Sequence, residues 1–232
     1  MEKVVVLVWK PEAQTGTSFR QSLLGEVQDG LVAAGAGSLR LCVVDEDVAA
    51  ASACRIESSN PVYDGMISFW VNSVFNIAAL LARIDPHVDK LAAYLVTESE
   101  PILNVAHKAA IGERTTGMNQ VVALQVPDRL TYDEWINTWL GSHTQIAIDL
   151  QSTFGYRQNV VTRSLRPEQP PYSAIVEENF PEAAMTSREA FYDAAGDEAL
   201  YQSREKQMIE SSMRFIDFDQ IDCIPMSQYD LG

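Results

Sequence analysis

The sequence predicts an α+β fold in which one supersecondary unit is built twice. Three observations carry this. Shifting Val4–Trp9 by 116 positions places it on Gln120–Gln125, and the same shift carries Phe19, Leu23, Leu24 and Gly25 onto Trp135, Trp139, Leu140 and Gly141. One offset therefore spans a strand-like and a helix-like segment, which is the mark of a duplicated unit. The order of periodicities is the same in both halves, and a glycine-bearing, charged stretch separates them.

In the first half, Lys3–Trp9 is a β-branched run suited to a buried strand. Ser18–Ala34 spaces Phe19, Leu23, Val27 and Leu31 four apart on a helix face and stops at Gly35 and Gly37. Strands follow at Leu39–Val44 and Gly65–Val71, a helix at Val74–Ile84 and a short strand at Ala93–Thr97. The Ala/Ser-rich, acidic stretch 45–60 reads as a long loop, either a lid or a surface excursion.

In the second half, Met118–Val126 is a strand, and Thr131–Glu134 is a capping box opening a helix of about 20 residues. Strands are predicted at Tyr156–Thr162 and Tyr172–Phe180, with a Pro/Arg loop between them. Thr186–Met208 reads as helix with a break near Gly196, and Phe215–Ile224 as the last strand. Each half thus reads β-α-β-β-α-β, a ferredoxin-like unit with one antiparallel sheet and both helices on one face. The expected organisation is a first unit over 1–103, a linker over 104–117 and a second unit over 118–232. The two sheets are expected to pack face to face as an intramolecular α+β barrel.

Composition narrows the function classes. With 17 basic and 32 acidic residues the formal charge is −15, which repels phosphate backbones and anionic lipid, so nucleic acid and membrane surfaces are not expected partners. The N-terminal apolar run is too short for a signal peptide and no stretch is long enough to span a bilayer. Cys42, Cys54 and Cys223 are odd in number and widely spaced, so neither a disulfide framework nor a zinc site is indicated, and the cytoplasm is the expected compartment. No phosphate-binding loop, dinucleotide fingerprint, nucleophile elbow or zinc-protease motif occurs. His87 and His107 read as solvated loop residues. The expectation is a protein without metal or other cofactor.

Trp135-x-x-x-Trp139-Leu-x-x-His143, followed by Tyr156-Arg-Gln-Asn159 and the strand ending at Phe180, resembles the EthD-like members of the dimeric α+β barrel proteins. The second half carries the resemblance over roughly 90 residues; the first half matches by pattern alone. The resemblance implies the barrel. It also implies company that includes small cyclases, isomerases, decarboxylases and cofactor-free monooxygenases acting on aromatic or polyketide-like molecules.

His143 is the leading candidate. It follows Trp139 by four on the apolar stripe, so its imidazole points between helix and sheet, where it serves either as an acid or base or as a hydrogen-bonded core histidine. The matching position in the first half is Val27. Strand alternation leaves open whether Tyr156 and Gln158, or Arg157 and Asn159, face it, and whether Glu177, Glu178 or Asn179 does. Glu177 is favoured, because the EthD-like strand tends to carry an acid at that place. Trp139 and Trp135 are candidate walls for a flat ligand, with core packing as the alternative. Two functions remain: a cofactor-independent lyase, isomerase or cyclase using His143, Glu177 and Tyr156 on a small hydrophobic or aromatic molecule, or a non-catalytic ligand-binding or stress-related barrel. Association of whole chains as a homodimer is open.

Overall fold

A computed structural model describes residues 1–232. In chain order it contains β1 (Glu2–Trp9), α1 (Gly16–Ser22), α2 (Gln28–Ala33), β2 (Gly37–Val43), β3 (Gly65–Val71), α3 (Ile77–Ile84), β4 (Lys90–Ile102) and β5 (Met118–Leu124). There follow α4 (Tyr132–Thr138), α5 (Thr144–Leu150), β6 (Gly155–Ser164), β7 (Ala174–Phe180), α6 (Arg188–Phe191), α7 (Glu198–Ser212) and β8 (Asp222–Asp230). The eight strands form one closed antiparallel barrel in the order β1-β3-β2-β8-β5-β7-β6-β4.

The two sheets expected to pack face to face are thus a single continuous one. β2 pairs with β8, and β4 with β6, so the halves meet through backbone hydrogen bonds along both edges. The reason is physical: an open sheet leaves two rows of unpaired amide and carbonyl groups, and mutual pairing leaves none.

Strand alternation separates three cores. Val4, Val6 and Val8 of β1 face outward onto Phe19, Leu23, Val27 and Leu31, in an apolar core that covers the first half. Val5, Leu7 and Trp9 face inward and meet Val121, Ile175 and Ile224 inside the barrel. A third core lies outside the second half, around Trp135, Trp139, Val176 and Phe180.

The long helices of the two halves are bent in the same way. Between α1 and α2 lies a π-helical turn, Leu23–Val27, and between α4 and α5 lies another, Trp139–His143. Each helix also opens on a capping box, Thr15 with Ser18 and Thr131 with Glu134. Both features repeat at the 116-residue offset.

Three expected elements differ. The stretch read as a loop after Asp45 contains a 3-10 helix, Glu46–Cys54, capped by the Asp45 carboxylate; its Val48 and Ala51 pack on the core of the second half. β4 runs well past Thr97, because Glu98–Ile102 pairs with β6. The last strand begins at Asp222, not Phe215. The apolar residues before it form a turn whose side chains line a cavity instead of a sheet. The segment between β4 and β5 runs beside β8, with Thr115 donating its amide to the Gln228 carbonyl at 2.9 Å. No helix is long and apolar enough to cross a membrane.

Candidate functional site

The helix α4–α5 and the helix α7 lie over the outward face of β5, β7 and β8. Between them is a cavity of about 370 Å³, lined by 22 residues of which 16 are hydrophobic. Val122 and Val176 form the sheet floor, Trp139 and Met208 the helix side, and Phe215 and Phe218 the turn that closes it. Cys54 and Ile56 reach over from the first half. A concave, mainly apolar space with a few placed polar groups is the usual form of a small-molecule site.

Three of the polar groups form one row across the sheet. Tyr156 on β6 stands opposite Glu178 on β7, which stands opposite Gln120 on β5. Residues opposite one another in register share a face, and this row faces the cavity. The Tyr156 phenol oxygen accepts from Trp139 Nε1 at 3.3 Å and from Gln158 Nε2 at 3.1 Å. Gln158 Nε2 also donates to Thr144 Oγ1 at 2.7 Å, which ties the row to α5. Burial pushes the phenol pKa up, and the neighbouring Glu178 carboxylate pushes it further.

Glu178 is the chemically unusual member. Burial raises its pKa from 4.5 to about 7, and no cation or hydrogen-bond donor acts against this. A carboxyl group titrating near neutrality can both take and return a proton at physiological pH.

His143 closes the second π-helical turn and lines the same cavity. Its Nδ1 lies 2.9 Å from Ser211 Oγ on α7, and its ring packs on Phe215 with centroids 4.5 Å apart. Burial, aided by the nearby Arg214 guanidinium, lowers its pKa to about 4. The imidazole is therefore neutral at pH 7, with a serine for a partner.

The structure brings His143, Trp139 and Tyr156 to the cavity and separates the other candidates from it. Glu177 points through the sheet into the barrel, where its carboxylate meets Arg40 Nη1 at 3.1 Å, Asn159 Nδ2 at 3.0 Å and Lys3 Nζ at 3.6 Å. Burial alone would raise its pKa, but Lys3 and Arg40 outweigh that and hold it at about 2. It does not reach the imidazole, and the expected pairing is corrected: strand alternation puts Glu177 inside and Glu178 in the cavity. Asn159 likewise faces inward, donating to the Ile175 carbonyl at 3.0 Å. Gln158 supports Tyr156 from behind and is not a cavity wall. Trp135 is fully buried beside Trp139, ring centroids 5.3 Å apart, and belongs to the core.

Glu178 is one of the three alternatives open on its strand, with Glu177 favoured over it, and Gln120 and Ser211 are the site residues that sequence reasoning missed. The signal for Glu178 and Gln120 was their register, since Tyr156, Glu178 and Gln120 form a polar row only once the strands are paired. Ser211 lies at the end of a polar helix and gave none. His87 and His107 are not in the site: His87 Nδ1 lies 3.1 Å from Ser22 Oγ, and His107 packs on Phe154. No group of three or more His, Cys, Asp or Glu residues is placed to hold a metal ion.

No family model matches the chain, and no curated relative does. Solved structures do. An anthrone oxidase-like protein superposes with a TM-score of 0.55 at 10% identity, covering 100% of this chain and 93% of its own. A protein described as a candidate monooxygenase from Lactobacillus acidophilus NCFM covers 100% and 96%, at 9% identity and a TM-score of 0.48. A chlorite dismutase variant from Candidatus Nitrospira defluvii covers 99% and 92%, at 11% identity and a TM-score of 0.49. The first likeness shows the fold: this chain has the antiparallel α+β barrel architecture over its whole length.

Proposed function

We propose that this protein is a small-molecule enzyme that performs general acid–base chemistry on an apolar, aromatic or polyketide-like molecule held in the cavity, as a lyase, isomerase or cyclase using no cofactor. The observation that carries this reading is Glu178, a carboxyl group without a counter-charge on the floor of an apolar cavity. Such a group costs stability as its charge forms, and it is matched to proton transfer near pH 7. Glu178 takes the role of base and acid, Tyr156 orients a carbonyl or phenol oxygen, Trp139 walls the ring system, and His143 is a neutral hydrogen-bonding group. The likeness to a protein described as anthrone oxidase-like agrees with a flat aromatic occupant.

The strand order within each half and the common bend of the long helices support reading the chain as tandem ferredoxin-like units, 1–103 and 118–232 joined by 104–117; the EthD-like type rests on the residue pattern around Trp135, Trp139 and His143. Three free cysteines agree with a reducing, cytoplasmic setting. Outward-facing helices leave room for association as a homodimer.

One observation favours a second reading, a non-catalytic ligand-binding barrel: the partner of His143 is Ser211 and not a carboxylate. The deciding experiment identifies the molecule carried through native purification by mass spectrometry and follows its conversion by wild type and Glu178→Gln. Turnover that falls by about 10²-fold or more in the variant supports the enzyme. Retention of the molecule unchanged by both proteins supports the binding barrel.

A further inference from the structure

The charges around the cavity are few and of one effective sign. Among its lining residues only Glu178 and Arg188 carry ordinary charged side chains. Arg188 is already engaged: its guanidinium pairs with Glu205 at 2.6 Å, lies 5.3 Å from the Tyr192 ring centroid, and its side chain is 52% exposed. The other titratable groups facing Glu178 or its cavity are Tyr156 on β6, Cys223 on β8, His143 in the π-helical turn, Cys54 in the 3-10 helix and Tyr192 after α6. The phenols and thiols are held protonated by burial. The imidazole is neutral at pH 7. Among the lining residues no uncommitted cation is therefore present to meet an anionic ligand, while a carboxylate stands in the floor; Arg214, near His143 but outside the lining, donates to Ser142 Oγ.

Resting on the reading of this cavity as a small-molecule site, we infer that Glu178 makes it a charge filter: it admits neutral, weakly acidic aromatic molecules such as phenols and enols, and rejects the same ring bearing a carboxylate. A phenolic hydroxyl donates to the Glu178 carboxylate, whereas a carboxylate in the same place faces a like charge in a water-poor space. Two such charges about 5 Å apart repel strongly enough at the effective dielectric of a protein interior to weaken binding by about 10-fold or more.

The test uses 2-naphthol and 2-naphthoate, one ring system with two head groups, titrated into the whole protein by calorimetry at pH 8 and pH 5.5. The naphthoate is ionised and the naphthol neutral at both values. Wild type is expected to bind naphthol, and to bind naphthoate at least ~10-fold more weakly at pH 8. The gap should narrow at pH 5.5, where Glu178 is protonated, and close at pH 8 in Glu178→Gln as naphthoate binding tightens. The wild-type pH comparison stands independently of how the variant folds. Equal affinities in wild type at pH 8, tighter binding of naphthoate, or a gap unchanged in Glu178→Gln overturns the filter while leaving the cavity a small-molecule site. Failure of both probes to bind wild type and variant overturns the site itself.

Discussion

Val27 and His143 occupy the same place in the same bend: each is the last residue of a π-helical turn in the long helix of its half. Val27 ends inside the apolar core that fills the space between helix and sheet in the first half. His143 ends at the wall of a cavity in the second. π-helical turns recur at functional positions because the extra residue re-aims the side chains around it. Here the backbone device is common to both halves and the imidazole belongs to one.

That geometry makes the glycines of the chain unequal. Gly141 sits inside the π-helical turn with nothing within 4 Å of an added Cβ, whereas Gly117 has φ +94° and its Cβ would lie 2.0 Å from the Phe180 carbonyl oxygen. Gly141→Ala should stabilise by about 0.5–1 kcal/mol, the gain of alanine over glycine in a helix interior. Gly117→Ala should destabilise by about 3 kcal/mol or more. Urea unfolding of both variants checks the pair, and a reversed order would show that the two backbones are not as described.

Much of the fold was legible because duplication wrote it twice. The offset of Phe19 and Leu23 onto Trp135 and Trp139 located the helices, and the β-branched run at Val4 located the barrel strand beside them. What stayed hidden depended on which face of a strand is wet. Polar residues line both faces of β7, so Glu177 and Glu178 could be told apart only through their partners, Lys3 and Arg40 on one side and Tyr156 and Gln120 on the other. β8 was displaced for a related reason. Its Asp222, Ser227 and Gln228 are buried and polar and Pro225 sits mid-strand, while the alternating apolar residues just before it serve a cavity.

Removing the Glu177 charge takes one of two carboxylate partners from each of Lys3 and Arg40, which keep Glu98 and Asp230. Breaking a buried pair so that its partner is left uncompensated typically costs about 3–5 kcal/mol; because Glu98 and Asp230 remain, Glu177→Gln should lower stability by less, about 1–3 kcal/mol, without altering ligand binding in the cavity. The sign of the pH effect follows from its depressed pKa of about 2. The stabilisation is complete above the unfolded value near 4.5 and is lost as pH falls from there toward 2. Acid unfolding curves of wild type should steepen below pH 4.5 more than those of the variant, which keeps other depressed carboxylates such as Asp222. Identical acid limbs would contradict the assignment.

The imidazole of His143 should titrate near pH 4, well below its ordinary 6.5. A depressed pKa means that its share of stability is present above about 6.5 and lost as pH falls through 4. Loss of the Ser211 hydrogen bond and the Phe215 contact in His143→Ala should cost about 1–3 kcal/mol at neutral pH. Thermal melts at pH 7.5 measure this. A change in turnover without a change in melting temperature would instead make the imidazole a catalytic group.

Glu178 carries the opposite linkage. Its pKa is raised from 4.5 to about 7, so the native state is fully favoured below 4.5 and is progressively penalised as pH rises through 7. The full shift corresponds to about 3 kcal/mol, less to the extent that water fills the cavity. Wild type should therefore lose stability relative to Glu178→Gln between pH 5 and 8 in urea unfolding. A constant difference across that range would count against a partly buried, unpaired carboxyl.

The most direct test is the titration of that carboxyl group itself. With side-chain carboxyl carbons labelled by ¹³C, one glutamate resonance, absent from Glu178→Gln, should move with a midpoint near pH 7, and addition of a tightly bound neutral aromatic ligand should shift that midpoint. A Glu178 resonance titrating at the ordinary 4.5, in the presence and absence of ligand, would contradict the proposal that this residue is the acid–base group of the cavity.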